Sequence, residues 1–172
     1  MTGYEIKQFM DVSTANFWHA KQSQIYATLK KLEERALIAS HVEAQEGRPD
    51  RRVYEITPAG RAELDNWLAR PLTALDHHKD TLLLKLFFSA RLDKDALLTQ
   101  LRLQRDLHQR QHDLYATETK AVIDQFAATM PDMQRDALLW DATRRFGELF
   151  EEMYVRWLDE TIERVEARNL KP

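Results

Sequence analysis

The sequence predicts a mainly α-helical chain with one small β-hairpin, built from an N-terminal part in which helices surround the hairpin and a C-terminal part of long helices. Three observations lead there. Only four glycines and five prolines interrupt 172 residues, and 44% of the chain is apolar, a helix-forming composition with enough material for a core. Apolar residues recur at helical spacing through most of the chain. They alternate as in strands only on either side of one breaker-rich turn, Gln45-Glu-Gly-Arg-Pro-Asp.

Residues 4–11 read as a short helix with Tyr4, Ile6 and Phe9 partly inward, ended by the break Asp11-Val-Ser-Thr. A second helix spans roughly 22–35, with Ser23 as its N-cap or with Ala20 to Gln22 already helical, and a stripe of Ile25, Leu29, Leu32 and Ala36 at steps of four, three and four. Residues 37–43 and 51–57 form the two strands, with Val53 on one face and Tyr54 and Ile56 on the other. Thr57-Pro58 then starts a helix, since Thr is a good N-cap and Pro suits the first helical position. It runs to Ala69 with Leu64, Trp67 and Leu68 inward, and Pro71 ends it. After a connector at 71–79, the apolar run 80–91 should be buried nearly all round. Asp93 caps a long helix to 128, Pro131 breaks the chain, and a last helix covers 133–168. The polar middle of the long helix, Gln104 to Asp113, calls for an antiparallel partner helix or a second subunit.

Composition excludes several function classes. The chain has no cysteine, so disulfides, thiol catalysis and Cys-type zinc sites are out. It has no apolar run of about 18 residues and no basic-then-apolar start, so neither a membrane span nor a signal peptide is expected, and the cytoplasm is the default location. Phosphate-cradling glycine loops, a Gly-x-Ser-x-Gly elbow and HEXXH are missing, so no enzyme, cofactor or metal is expected. His108 and His112 stand four apart on one helix and could meet one metal, but they read better as part of a solvated face.

The net charge of −3 does not advertise a nucleic-acid binder, yet no acidic residue lies between Asp11 and Glu33, where Lys21, Lys30 and Lys31 are found. Phosphate contacts need local positive potential, not a basic protein overall. Helix, helix, hairpin, helix within 70 residues is the order of a winged helix-turn-helix without its first helix. The stripe on 25–36 would pin the helix, and its outer face would enter the major groove. Gln24 would read a base edge. Ser23, Tyr26 and Thr28 would reach phosphates, and Lys21, Lys30 and Lys31 would neutralise them. In the hairpin, Arg48, Arg51 and Arg52 would lie along the backbone or in the minor groove. The competing reading is a winged-helix or coiled-coil module for protein contact.

Long motifs in this order resemble the PadR family of bacterial transcriptional regulators: T-G-Y-E-I at 2–6, F-W-x-A-K-x-S-Q-I-Y-x-x-L-K-K-L at 17–32, E-G-R-P-D-R-R-V-Y-E-I-T-x-A-G at 46–60, W-L-A-R-P at 67–71 and K-D-x-x-L-L-K-L-F-F at 79–88. The resemblance covers about half the chain densely. It implies a winged helix-turn-helix DNA-binding domain at 1–70, the connector at 71–79, and a helical dimerisation and effector domain at 80–172. It also implies a repressor released by a small aromatic (phenolic) acid, or, in the branch typified by AphA, an activator without a ligand. Family members carry an apolar helix before T-G-Y, whereas Met1 stands immediately before it here, so the first helix of the family fold is expected to be missing.

Two further sites complete the expectation. Phe146, Phe150, Met153 and Trp157 form a stripe too large for a lone helix and are assigned to a homodimer interface, which implies a palindromic operator in double-stranded DNA. For an aromatic acid, Lys79 and Lys85 can supply the cation, His77 or His78 a hydrogen bond, and Phe87, Phe88, Trp140 and Phe146 apolar walls.

Overall fold

Helix α1 (Gly3–Ser13) opens on a capping box. Thr2 Oγ1 accepts the Glu5 amide at 3.2 Å, and the Glu5 carboxylate accepts the Thr2 amide at 2.7 Å, so two otherwise orphaned donors are satisfied reciprocally. The computed structural model describes residues 1–14, 17–45, 47, 50–75 and 79–168. They divide into two compact units, Met1–His77 and His78–Pro172.

In the first unit, α2 (Gln22–Glu34) follows α1, then strands β1 (Ile38–Glu43) and β2 (Arg51–Ile56), then α3 (Pro58–Ala69). The strands pair antiparallel from Ile38↔Ile56 to Glu43↔Arg51. Met1 and Thr2 extend this sheet, with Tyr54 N–H donating to the Met1 carbonyl at 2.9 Å. Ile25, Leu29 and Val53 are the buried apolar side chains of this unit among the described residues. Thr57 caps α3 as expected, its Oγ1 accepting the Gly60 amide at 3.0 Å, with Pro58 in the first turn. Gly60 is required where it stands: a Cβ there would lie 2.0 Å from the Leu37 carbonyl oxygen. This contact seats α3 against the start of β1.

In the second unit, α4 (Thr81–Phe87) leads through a 3₁₀ turn to α5 (Lys94–Leu114). A π-turn at Tyr115–Thr119 joins α5 to α6 (Lys120–Thr129), and α7 (Gln134–Glu166) returns along them over 33 residues. Asp93 caps α5 as expected, accepting the Ala96 amide at 2.9 Å. Cross-links show that α5 and α7 run antiparallel. Arg102 meets Glu166, Arg105 meets Asp159, and His108 meets Glu151. The core between them is Leu82, Leu97, Leu101, Tyr154 and Leu158, with Phe150, Trp157, Ile162 and Val165 packed on it. The long helix therefore finds the antiparallel partner its polar middle called for, within its own chain. Among the described residues no helix is long and apolar enough to cross a membrane.

Several local expectations are corrected. The inward face of α1 is Gly3, Ile6, Lys7 and Met10, while Tyr4 and Phe9 are exposed. The stripe is set by Gly3, whose missing side chain admits the Tyr26 ring. The N-cap of α2 is Lys21, so Ser23 lies inside the first turn. Ala36 is not part of the α2 stripe. It adopts φ 55 just past the helix end, where the chain turns into β1. On α3, Leu64, Trp67 and Leu68 are exposed, because the helix is seated through Gly60 at its start and not through that face. On α4 only Leu82 is buried, and Leu83, Leu84, Phe87 and Phe88 face outward. One short helix against the α5–α7 pair has one face to bury, whatever its composition.

Candidate nucleic-acid interface

Ile25 and Leu29 bury one side of α2, which turns Lys21, Gln24, Thr28 and Lys31 outward. Their spacing of three, four and three places them on one exposed stripe. Lys21 and Lys31 make no ion pair among the described residues, whereas Lys30 stands 3.9 Å from Glu34. Gln24 is partly engaged, its Oε1 accepting the Lys21 amide at 2.8 Å. Its side-chain NH₂ and the second lone pair of that oxygen remain to offer a base edge. Ser23 is exposed on the first turn. Tyr26 lays its ring over Gly3, where a Cβ would come within 2.6 Å of Cε1, so the side chain joins α2 to α1 as well as reaching solvent.

The arginines at the root of the hairpin are occupied. Arg51 meets Glu5 of α1 at 3.2 Å and Glu43 of β1 at 3.3 Å. Arg52 donates through Nε to Ser40 Oγ at 2.7 Å and through Nη2 to both Glu33 oxygens at 2.9 and 2.8 Å. Ser40 Oγ donates in turn to Glu33 at 2.5 Å, which closes a ring of hydrogen bonds. Hydrogen bonds from Ser40 and then Arg52 hold the Glu33 carboxyl below its usual range. The Glu5 carboxyl is lowered in the same way, first by the Thr2 amide and further by Arg51. Arg48 lies outside the described residues.

The second unit holds the other expected groups. Lys79 is exposed. Lys85 and Phe88 line one open depression of about 450 Å³ with Leu84, Ser89, Leu92 and Gln100, and Phe87 meets Phe88 edge-on with centroids 5.0 Å apart. Trp140 sits instead edge-on to Phe126 at 6.1 Å. His77 and His78 lie outside the described residues. On α7, Phe146 and Met153 are exposed, while Phe150 and Trp157 are half-buried against the chain's own Tyr154, at 5.7 and 5.3 Å.

Two polar networks in this unit escaped the sequence reading. His108 is not on a solvated face. It stacks on Tyr154 at 3.8 Å and pairs with the mostly buried Glu151, while Tyr154 donates to Asp80 at 2.5 Å. His112 contacts Asp113, and no cluster among the described residues could hold a metal. Arg144 is buried and donates to the Tyr115 carbonyl at 3.1 Å, at the start of the π-turn, while also pairing with Asp141 and Glu148 at 2.6 Å. The pairing His108–Glu151 could have been found by sliding the two helical stripes past each other. The π-turn, which shifts the phase of everything after it, has no sequence signature of its own.

Residues 1–66 match the family described as Transcriptional regulator PadR-like family, and residues 78–166 match Virulence activator alpha C-term. The probable transcriptional regulator Rv1176c of Mycobacterium tuberculosis is 31% identical over 97% of this chain and 91% of its own length. The negative transcriptional regulator PadR of Bacillus subtilis is 29% identical over 92% of this chain and 86% of its own. The crystal structure of that PadR with operator DNA superposes with a TM-score of 0.79 at 24% identity, over 96% of this chain and 89% of that one. A structure of the same protein with p-coumaric acid has a TM-score of 0.70 at 23% identity, over 96% and 90% of the two chains. The Vibrio cholerae virulence activator AphA superposes with a TM-score of 0.68 at 26% identity, over 96% of this chain and 90% of that one.

Proposed function

Because the chain belongs to the PadR-like family of transcriptional regulators, we propose that it acts as a homodimer that reads a palindromic operator by laying α2 in the major groove of double-stranded DNA. One observation carries this reading. The outward stripe Lys21, Gln24, Thr28 and Lys31 is exposed and free of acidic residues, while Ile25 and Leu29 anchor the opposite side. The cations set affinity and register, and Gln24 sets base preference. Protein bound to DNA in this way acts in the cytoplasm.

The sign of regulation is repression, relieved by a small aromatic acid. The relative named a negative regulator, and its structure with p-coumaric acid, support this choice. In this chain Lys85 is the cation for the carboxylate, and Phe88, Leu84 and Leu92 are walls for the ring. Such a ligand must bind the DNA-free geometry better than the DNA-bound one, because equal affinity would shift nothing. The match of residues 78–166 to a virulence-activator domain favours a second reading, an activator without a ligand.

Footprinting on the DNA upstream of the chain's own gene, with and without aromatic acids, tests both. A protected palindrome released by an acid supports the repressor. A protected palindrome that no acid at millimolar concentration releases, with an unchanged melting temperature, supports the second reading. No protection contradicts DNA reading itself.

A further inference from the structure

We propose that Glu33 is a positioning residue for DNA reading: it ties the hairpin to the last turn of α2 through Arg52 and Ser40, so that Arg52 serves as a strut and not as a phosphate contact. This rests on the DNA-reading function above and deepens it. It also reverses the role that position 52 would have by its place in the hairpin.

Three features carry the inference. First, the hydrogen bonds are oriented and complete. Arg52 donates to Ser40 and to both oxygens of Glu33, and Ser40 donates to Glu33 while accepting from Arg52. Arg52 is held at two nitrogens, Nε on Ser40 Oγ and Nη2 on both Glu33 oxygens, which fixes the plane of its guanidinium, and its Cζ stands 5.6 Å from the centre of the Tyr54 ring. Second, the ring joins three elements. Glu33 is on α2, Ser40 on β1 and Arg52 on β2, and the two ends of the ion pair are 19 positions apart in the chain. The distance from α2 to the two strands of the hairpin is thus set by side chains and not by the turn Arg35–Leu37 alone. Third, the charges cancel. To reach a phosphate, Arg52 would have to leave Glu33, and the freed carboxylate beside it would then repel the same phosphate. Lys21 and Lys31 carry no such burden, since neither makes an ion pair among the described residues. Arg51 follows the same plan, bound to Glu5 and Glu43.

The two roles predict opposite results for one substitution. Operator binding is measured by fluorescence anisotropy at several salt concentrations for the parent, Glu33→Gln, Arg52→Ala and the double variant. For a strut, each single variant weakens binding by roughly two- to fivefold, the scale of an exposed ion pair. The double variant is no worse than either single one, and the salt slope is unchanged. For a phosphate contact, Glu33→Gln frees Arg52 and binding tightens, while Arg52→Ala makes the salt slope about one unit shallower. Either of those outcomes overturns the proposal. Glu152→Gln, which breaks a comparable surface pair with Arg156 at 3.0 Å, controls for loss of an ion pair as such and should leave binding unchanged. The strut is also read without DNA. Hydrogen exchange at the β1 and β2 amides should speed up alike in Glu33→Gln and Arg52→Ala, and unchanged exchange overturns it. A parent that binds no DNA defeats the regulator reading and the positioning role with it, while exchange still decides whether the strut exists.

Discussion

Tyr154 donates its hydroxyl to Oδ2 of Asp80 across 2.5 Å, while Oδ1 of the same carboxylate accepts the Leu83 amide at 2.9 Å. One aspartate thus caps α4 and ties it to the middle of α7, at the very start of the second unit. Burial, and then the bond to Asp80, push the Tyr154 hydroxyl well above the ordinary tyrosine range. In the unfolded chain a tyrosine loses its proton near pH ~10, whereas in the fold it keeps it. The contribution is therefore whole below that pH and is lost as pH rises beyond it. Tyr154→Phe should cost about 1.5–3 kcal/mol at neutral pH, the net value of one hydrogen bond to a charged group, and should lose less further stability than the parent in alkaline solution. Thermal melts of both proteins from neutral to alkaline pH check this. Parallel pH profiles would contradict it.

Leu101 and Leu158 are fully buried and belong to the same cluster between α5 and α7. Truncation of either to alanine should cost about 2–5 kcal/mol, through lost transfer energy and a cavity that helices of this length close only in part. The double variant should cost less than the sum, because each removes contacts the other would have lost. Denaturant unfolding of the three variants measures this.

Gly60→Ala places a methyl group where the Leu37 carbonyl already is. The obstacle is backbone, so either α3 or the start of β1 must move. A loss of about 1–3 kcal/mol or more is expected in thermal unfolding, against the slight gain that alanine brings in an open helix. An unchanged melting temperature would show that α3 is not seated on β1 as described.

On α7, Phe146 and Met153 present exposed apolar surface, whereas Phe150 and Trp157 turn partly toward the chain's own core. If the stripe joins two copies, Phe146→Glu with Met153→Glu should convert a dimer to a folded monomer in sedimentation. A dimer that survives both changes would place the interface elsewhere.

The elements themselves were legible because each rests on a local signal. Thr57-Pro58 and Asp93 cap helices as their chemistry dictates, and alternation around the 45–50 turn marks the hairpin. What was hidden depends on phase and pairing. Ala36 fits a helical stripe by spacing, yet it leaves the helix in a left-handed conformation because the chain must turn sharply into β1. His108 reads as one more polar residue until Glu151 and Tyr154 arrive from a helix 43 residues away. The exposed stripe of α2 could be drawn from the sequence, since it is the complement of Ile25 and Leu29. That Arg51 and Arg52 are already paired could not, because Ser40 and Arg52 become neighbours only through the strand register.

Gln24 has its carbonyl oxygen bound to the Lys21 amide, and in the proposed reading its NH₂ group and the second lone pair of that oxygen would meet a base edge. Gln24→Ala should relax preference at one base pair per half-site and cost about 1–3 kcal/mol on the preferred sequence. Part of the loss will be general, since the first turn of α2 also loses its cap. Binding to a panel of single-base operator variants separates the two. Uniform weakening with preference intact would mean that Gln24 caps the helix and reads nothing.

The most direct test of the central claim, that α2 reads DNA, is operator affinity as a function of salt for the parent and for Lys31→Ala. The parent should bind with an affinity that falls steeply as salt rises. Lys31→Ala should bind every sequence more weakly, with a slope about one unit shallower. Equal affinities and equal slopes for the two proteins would contradict the claim.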